Sequence, residues 1–424
     1  MHAPQELTLA TTHDIPHECD ILVNGGGMVG LCLSLALAQQ GFDIVVLDAQ
    51  PAPPEVARLR ATLGDQQFDS RVSALTPGSQ SWLQQLGVWD ALADLRVCAY
   101  SDMHVWDADG TGSIHFTAEE VHRPCLGHIV ENRLICAVLH EALRQLPQVK
   151  LCNNHTLAAV EQAVDTSNRA LVVCDNGAAF SFRLLIGADG GSSLVRKLCA
   201  FTTREWSYQQ QAIVCTIKTA VSHQFTAWQR FMSGGPLAVL PLLQVGAQSQ
   251  HCSSIVWSCD DDKAAALMAL SEPAFAQELQ RAFESRLGAM EIIAPRQVFP
   301  LHQQHAIHYA KPGVVLVGDA AHTLHPLAGQ GVNLGLADAE CLAQVLTKAR
   351  QRGEDIAAIQ TLSRYQRERK GPNLGMMLSM EMFKRAFGSD ALMLRWLRNT
   401  GLRVANQNLA LKRTLIQHAM GLPV

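Results

Sequence analysis

Apolar runs that end at a glycine-containing turn and lead into a helix recur along the chain. Residues 19–48 (CDILVNGGGMVGLCLSLALAQQGFDIVVLD) read as a strand to Asn24, a turn holding Gly25, Gly27 and Gly30, a helix reaching Gln40, and a second strand ending at Asp48. Residues 184–196 (LLIGADGGSSLVR) repeat the apolar strand and stop at Gly187-Ala188-Asp189-Gly190. Residues 313–338 (GVVLVGDAAHTLHPLAGQGVNLGLAD) do so again. There an aliphatic run to Val317 meets an acidic turn at Gly318-Asp319, and Pro326 and Gly329-Gln330-Gly331 precede an amphipathic helix over 333–349. Elsewhere, residues 50–69, with Pro51, Pro53 and Pro54, predict a surface loop. Residues 71–86 and 134–146 predict helices, and residues 100–117 predict two strands around an Asp109-Gly110 turn. From 201 to 300 the pattern shifts to strands (AIVCTIKTA, PLAVLPLL, CSSIVWS) with one helix over 264–287, which predicts a separate sheet covering a pocket.

Composition narrows the class. A chain of 424 residues with 48% hydrophobic and 17% charged residues is long enough for two domains with a substantial core. Its twelve cysteines include no pair at CxxC spacing, so they read as small core residues of a reducing compartment. The 17 histidines show no HExxH spacing, and no metal site is expected. The N-terminal segment carries acids without an apolar core, unlike a signal peptide, and no apolar run approaches the roughly 18 residues of a membrane span. The expectation is a soluble, cytoplasmic protein. Residues 391–424 contain Arg395, Arg398, Arg403, Lys412 and Arg413, no acid, and interleaved apolar residues such as Leu392, Trp396 and Leu402. That pattern fits a helix meeting an anionic surface, and equally a C-terminal helix packed on the body with its basic face in water. A net charge of −4 and the lack of a recognised module give nucleic-acid binding no support.

The first glycine turn carries the clearest chemistry. In a strand-turn-helix setting, Gly25 permits the tight turn, Gly27 lets a pyrophosphate approach the helix N-terminus, and Gly30 lets helix and strand pack closely. Asp48 stands where a carboxylate binds the adenosine ribose. These residues predict a dinucleotide without deciding between FAD and NAD. The Gly318-Asp319 turn and following helix add a second anion-favouring end. Free N–H groups there, with roughly half a positive charge, suit the edge of a flavin ring that gains negative charge on reduction.

The fingerprint, the Asp189-Gly190 segment and the Gly318-Asp319 segment, in this order and rough spacing, resemble the single-component flavin aromatic hydroxylases of p-hydroxybenzoate hydroxylase type. The resemblance covers nearly the whole chain. Within that superfamily, His325-Pro326-Leu327-Ala328-Gly329-Gln330-Gly331-Val332-Asn333, Arg71-Val72-Ser73-Ala74-Leu75 and Val130-Glu131-Asn132-Arg133-Leu134 look like segments of the ubiquinone-biosynthesis hydroxylases. Asn24, where the family usually has an aliphatic residue, and Gly191, where Ala is more usual, are departures.

The resemblance implies an α/β fold: a Rossmann-like FAD-binding domain, an inserted β-sheet substrate domain and a C-terminal helical tail. It divides the chain into an FAD-binding domain over 18–75, 121–200 and 301–372, a substrate domain over 76–120 and 201–300, and a helical region over 373–424. It places Gly25, Gly27, Gly30 and Asp48 on the ADP half of FAD, and Arg71 and Arg133 near the pyrophosphate and ribityl chain. Asp189 belongs to a segment serving FAD and the passing nicotinamide, Asp319 to the ribityl contact, and Gly331, Val332 and Asn333 to the ring edge. Such an enzyme uses O2 and NAD(P)H, and the flavin supplies the reactive oxygen, so no protein nucleophile is needed. His322 and His325 are candidates for proton relay, although a turn histidine more often plays a structural part.

The implied substrate is a polyprenylated phenol of ubiquinone synthesis. GHIVEN, SSIVWS, RQVFPL and LKRTLIQHAMGL look most like the branch that hydroxylates 2-polyprenylphenol at C5. A later benzoquinol-ring hydroxylase is the near alternative, and a non-catalytic flavoprotein subunit a third. A flavin halogenase would need a WxWxIP stretch, which the seven tryptophans do not supply. A polyprenyl substrate implies contact with the inner membrane surface or with other ubiquinone-synthesis proteins, and the basic tail is the expected contact surface.

Overall fold

The computed structural model describes residues 16–64, 68–108, 112–161, 169–243, 250–323 and 330–387, together with 408, 412 and 413; the side chains of 330 and 383–387 are outside the description. The first glycine turn forms as its sequence dictates. Strand β1 (His17–Asn24) buries Ile21, Leu22 and Val23, helix α1 (Met28–Gln39) follows, and β2 (Ile44–Asp48) pairs parallel to β1. Gly25 takes a φ of +120°, and a Cβ there would lie 2.3 Å from the Ala188 carbonyl oxygen. A Cβ on Gly30 would lie 2.0 Å from the Gly25 oxygen, so only glycine fits at either position.

Two further strands complete the site-bearing part of this eight-stranded sheet: β3 (Ala179–Gly187) and β4 (Val314–Leu316). The central order is β4, β3, β1, β2 and then Val149–Asn153, all parallel. Parallel strands buried on both faces need continuous apolar runs and helical cover. The cover comes from α1, from Asn132–Arg144 and from α2 (Gln330–Gln351), which bury Leu33, Leu37, Leu139, Leu143, Leu342 and Leu346 in the same cluster as the strands. α1 is apolar nearly all round because helices pack on several of its sides, and eight of its 12 residues are buried.

The second sheet has nine strands: Asp102–Asp107, Ser113–Thr117, the six strands from Thr203 to Ala306, and His322–Thr323. One face packs on helices through Ile213, Ile217, Ile255, Trp257, Phe275 and Leu279. The opposite face presents Leu242 and Cys252 to Cys98 and Ile129 of a three-stranded sheet, Val72–Leu75, Gly127–Glu131 and Val97–Tyr100. The strand-rich 201–300 segment thus contributes to a separate sheet, as its pattern predicts. Trp82, Leu83, Trp89 and Leu92 join the core of the parallel sheet.

Three elements differ from the sequence expectation. Residues 50–69, expected as a surface loop, hold a helix at Val56–Thr62 that buries Val56 and Leu59. Residues 71–86 are a strand followed by a helix: Val72–Leu75 pairs with Gly127–Glu131, and Thr76 then caps Pro77–Gln85 by accepting from the Ser79 amide at 3.3 Å. Thr-Pro is a start signal, so the helix begins there and not at Arg71. The expected helix over 264–287 is two, Asp261–Ala269 and Glu272–Ala282, because Pro273 in the first turn after Ser271 restarts the helix. The strands flanking the Asp109-Gly110 turn pair as expected, and the turn lies outside the described residues. Among the described residues no helix is long and apolar enough to cross a membrane.

Helix α3 (Ile359–Phe387) spans both sheets. Leu362 and Tyr365 pack in the first core, and Met380 packs against Val105, Ile114 and Phe231 of the second sheet.

Candidate active site at the strand ends

Register sets the geometry of the site. Leu316 pairs with Gly187, Gly187 with Asn24, and Asn24 with Leu47, so four parallel strands end in one row. The Gly318-Asp319 turn, Asp189, Gly25 and Asp48 therefore emerge side by side, although in the sequence they run from position 25 to position 319. In open parallel sheets the crevice outside the carboxyl ends is where ligands bind.

The fingerprint end is built for an anion. Helix α1 has no side-chain cap at Gly27, and its first amides have no partner within the helix. Among the described residues, no atom beyond its chain neighbours lies within 4 Å of the position a Gly27 Cβ would take. Asp48 accepts from the Gly26 amide at 2.5 Å and from the Gln50 amide at 2.7 Å, one on each carboxylate oxygen, which fixes it beside the turn with lone pairs to spare.

Asp189 is more committed to protein. Its carboxylate accepts from Asn24 Nδ2 at 2.9 Å, Ser193 Oγ at 2.5 Å, and the Leu194 and Val195 amides at 2.7 and 3.2 Å. Asn24, a departure from the family's aliphatic residue, ties the end of β1 to the Asp189 turn. Gly191 also has a reason: a Cβ there would lie 3.1 Å from Thr323 Oγ1 and 3.4 Å from His302 Nε2.

Asp319 stands at the other end of the row. Its side chain is accessible, yet protein surrounds it closely, and that desolvation pushes its carboxyl above the ordinary value of 3.8 against the pull of His322, Arg71 and His302. The first turn of α2 comes to the same place, since a Cβ on Gly331 would lie 4.0 Å from Asp319 Oδ1. Val332 is half-buried beside it, packed against the first core. The Asn333 side chain turns away: Oδ1 accepts from the Thr76 amide at 3.0 Å and Ser79 Oγ at 2.8 Å, and Nδ2 donates to the Ala74 carbonyl at 2.8 Å. Arg71 is exposed, 5.7 Å from the Phe299 ring. Arg133 is partly exposed and paired with Glu131 at 3.1 Å.

Of the two histidines, His325 lies outside the described residues, as do 326–329. His322 has no exposed side-chain surface, and its Nε2 lies 2.5 Å from Asp338 Oδ2. A ring enclosed in this way does not touch a substrate in the crevice.

Two buried ionic clusters near the site escaped the sequence reading. Glu131 accepts from Arg96 Nε at 2.7 Å and from the Asp69 amide at 2.6 Å, with Arg96 stacked 4.0 Å from the Phe68 ring. Asp338 gathers His322, Arg369, Asn373 and the Gly318 amide. Burial acts to raise the Asp338 carboxyl, but His322 and Arg369 outweigh it and hold the group below its ordinary range. The signal for Asp338 was there: on α2 it shares a face with Gly335 and Leu342, both buried, and a lone acid on an apolar stripe is the exception that asks for a partner.

The residues present fit FAD: an uncapped helix end with open space at Gly27, a fixed acceptor at Asp48, and an accessible acceptor at Asp319 beside a second helix N-terminus. The comparisons agree. The family described as FAD binding domain matches residues 18–372. The 3-demethoxyubiquinol 3-hydroxylase of Escherichia coli (strain K12) is 37% identical over 404 residues, covering 95% of this chain and 98% of its own length. The mitochondrial ubiquinone biosynthesis monooxygenase COQ6 of Homo sapiens is 32% identical over 449 residues, covering 94% of this chain and 92% of its own. Among solved structures, p-nitrophenol 4-monooxygenase PnpA from Pseudomonas putida DLL-E4 superposes with a TM-score of 0.74 at 20% identity, over 95% of this chain and 98% of that one, a likeness of fold. The chain belongs to the FAD-binding domain family, in its branch of ubiquinone-biosynthesis hydroxylases, and is an FAD-dependent monooxygenase of p-hydroxybenzoate hydroxylase-like fold.

Proposed function

We propose that this chain hydroxylates the aromatic ring of a polyprenylated ubiquinone precursor. The observation that carries the reading is the in-register row of strand ends, which brings Gly25–Gly30, Asp48 and Asp319 to one edge of the parallel sheet. In this reading the amides of α1 and the open face of Gly27 receive the pyrophosphate, and Asp48 accepts from the adenosine ribose. Asp319 accepts from a ribityl hydroxyl, the first turn of α2 from Gly331 to Asn333 lies at the ring edge through its backbone, and Arg71 and Arg133 lend positive charge. Asp189 serves by shaping its turn. Bound flavin, reduced by a nicotinamide donor, supplies the oxygen chemistry. The protein's part is to orient the ring, exclude water and aim the substrate. No general base is assigned.

The full-length likeness to a 3-demethoxyubiquinol 3-hydroxylase favours the later, benzoquinol-type substrate. The second reading, C5 hydroxylation of 2-polyprenylphenol, rests on the GHIVEN, SSIVWS and RQVFPL segments. Expression in two bacterial strains separates them, one accumulating 3-demethoxyubiquinone and one accumulating 2-polyprenylphenol. Clearance of the first intermediate alone supports the favoured substrate, clearance of the second alone transfers the assignment, and clearance of neither contradicts the function.

A further inference from the structure

The Asp338 cluster is arranged around the turn that carries Asp319. Asp338 Oδ2 accepts from the Gly318 amide at 3.2 Å and from His322 Nε2 at 2.5 Å, so one oxygen grips the turn on both sides of Asp319. Oδ1 faces α3, accepting from Arg369 Nε at 2.7 Å and Asn373 Nδ2 at 3.0 Å. Arg369 and Asn373 flank Pro372, where the missing N–H interrupts the helix ladder, and Arg369 also donates to Asn373 Oδ1 at 3.0 Å. Tyr365, one turn earlier, donates to the Leu316 carbonyl at 2.9 Å, bracing the strand end just before the turn.

The turn itself has little freedom of its own to set its position. Gly318 has a φ of +57°, and a Cβ there would lie 3.3 Å from Val29 Cγ1 in the first turn of α1. His322 Nδ1 is buried and has no hydrogen-bond partner among the described residues, so the ring is held through the Asp338 contact and by packing 5.9 Å from the Tyr309 ring. Replacing a buried ionic cluster by apolar residues is often neutral or stabilising, so its presence calls for a geometric reason beyond stability. The geometry supplies one. A single carboxylate on α2 keys the Asp319 turn to the N-terminus of its own helix and to α3, the helix that reaches both sheets.

We propose that Asp338, with Arg369 and Asn373, is a positioning residue for the flavin, setting the Asp319 carboxylate relative to the first turn of α2. This rests on Asp319 contacting the cofactor, as argued above. The test is a double-mutant cycle on the FAD dissociation constant of the full chain, read by flavin fluorescence, with Asp319→Ala, Arg369→Met and the pair. Arg369→Met is expected to weaken FAD by about tenfold in the parent but by less than about twofold once Asp319 is Ala, the non-additivity of residues acting through one another. Arg369→Lys, which keeps a cationic donor, is expected to restore most of the affinity. Equal losses in both backgrounds, or no loss in the parent, would overturn the proposal, because a merely structural role is additive. Should Arg369→Met fail to fold, Asn373→Ala, which removes one contact of the four, is read by the same cycle and the same criteria. Unchanged FAD affinity in Asp319→Ala alone would instead remove the cofactor contact, and this inference with it.

Discussion

Gly27 and Gly30 sit in one turn yet answer a side chain in opposite ways. Among the described residues a Cβ on Gly27 meets no atom within 4 Å beyond its chain neighbours, whereas one on Gly30 would lie 2.0 Å from a backbone oxygen. Gly27→Val should therefore leave the thermal midpoint of the apoprotein unchanged while abolishing retention of FAD. A purified Gly27→Val protein as yellow as its parent would contradict the phosphate assignment. At Asp319 the expectation concerns pH. A carboxyl raised by desolvation binds a hydroxyl donor best when ionised, so FAD affinity should fall as pH drops through the raised value, starting above 3.8. In the apoprotein the same shift means that ionising Asp319 costs stability as pH rises through that value, and the cofactor's donors offset this. Stabilisation by FAD should therefore be larger at neutral than at acid pH, and Asp319→Asn should flatten the dependence. A variant with the parent's pH profile would show that another group titrates. Asn24→Leu should cost about 1.5–3 kcal/mol in chemical unfolding, the worth of a hydrogen bond to a charged group. No measurable loss would return Asn24 to a passive place in the strand.

At the scale of elements, what was legible in the sequence was local. Each strand-glycine-helix unit announces itself within about thirty residues, and its glycines state their own backbone needs. The start of Pro77–Gln85 and the break at Ser271 to Pro273 were also written locally, as a Thr-Pro start and a Pro in a first turn, but averaging over longer periodic windows hid them. The partners of Asp338 were not legible, because Arg369 and Asn373 lie more than thirty positions away and their pairing is set by how α3 crosses α2. The commitment of Asp189 and Asn333 to protein donors was hidden in the same way. Both side chains fit a ligand role by type, and only the register of β1, β3 and Val72–Leu75 assigns them to the frame.

On the scale of the whole molecule, most of the basic tail over 391–424 lies outside the described residues, but two of its charges are placed. Lys412 is 5% exposed with Nζ 2.5 Å from Glu120 Oε1, and Arg413 Nε donates to the Glu120 carbonyl at 2.8 Å. At these two positions the tail follows the packed-helix reading: Lys412 is buried and Arg413 half-buried, both against Glu120. Lys412→Glu should therefore free the tail from the body, seen as faster C-terminal trimming under limited proteolysis, and unchanged trimming would mean that the contact contributes nothing.

The central claim, ring hydroxylation by this chain, is tested most directly with the purified FAD-loaded protein, NAD(P)H, a short-tailed 3-demethoxyubiquinol analogue and isotopically labelled O2. The account predicts a product carrying one added ring hydroxyl whose oxygen derives from the labelled gas. Consumption of NAD(P)H and O2 that yields only hydrogen peroxide, with no label in the ring of this analogue or of a 2-polyprenylphenol analogue, would contradict it.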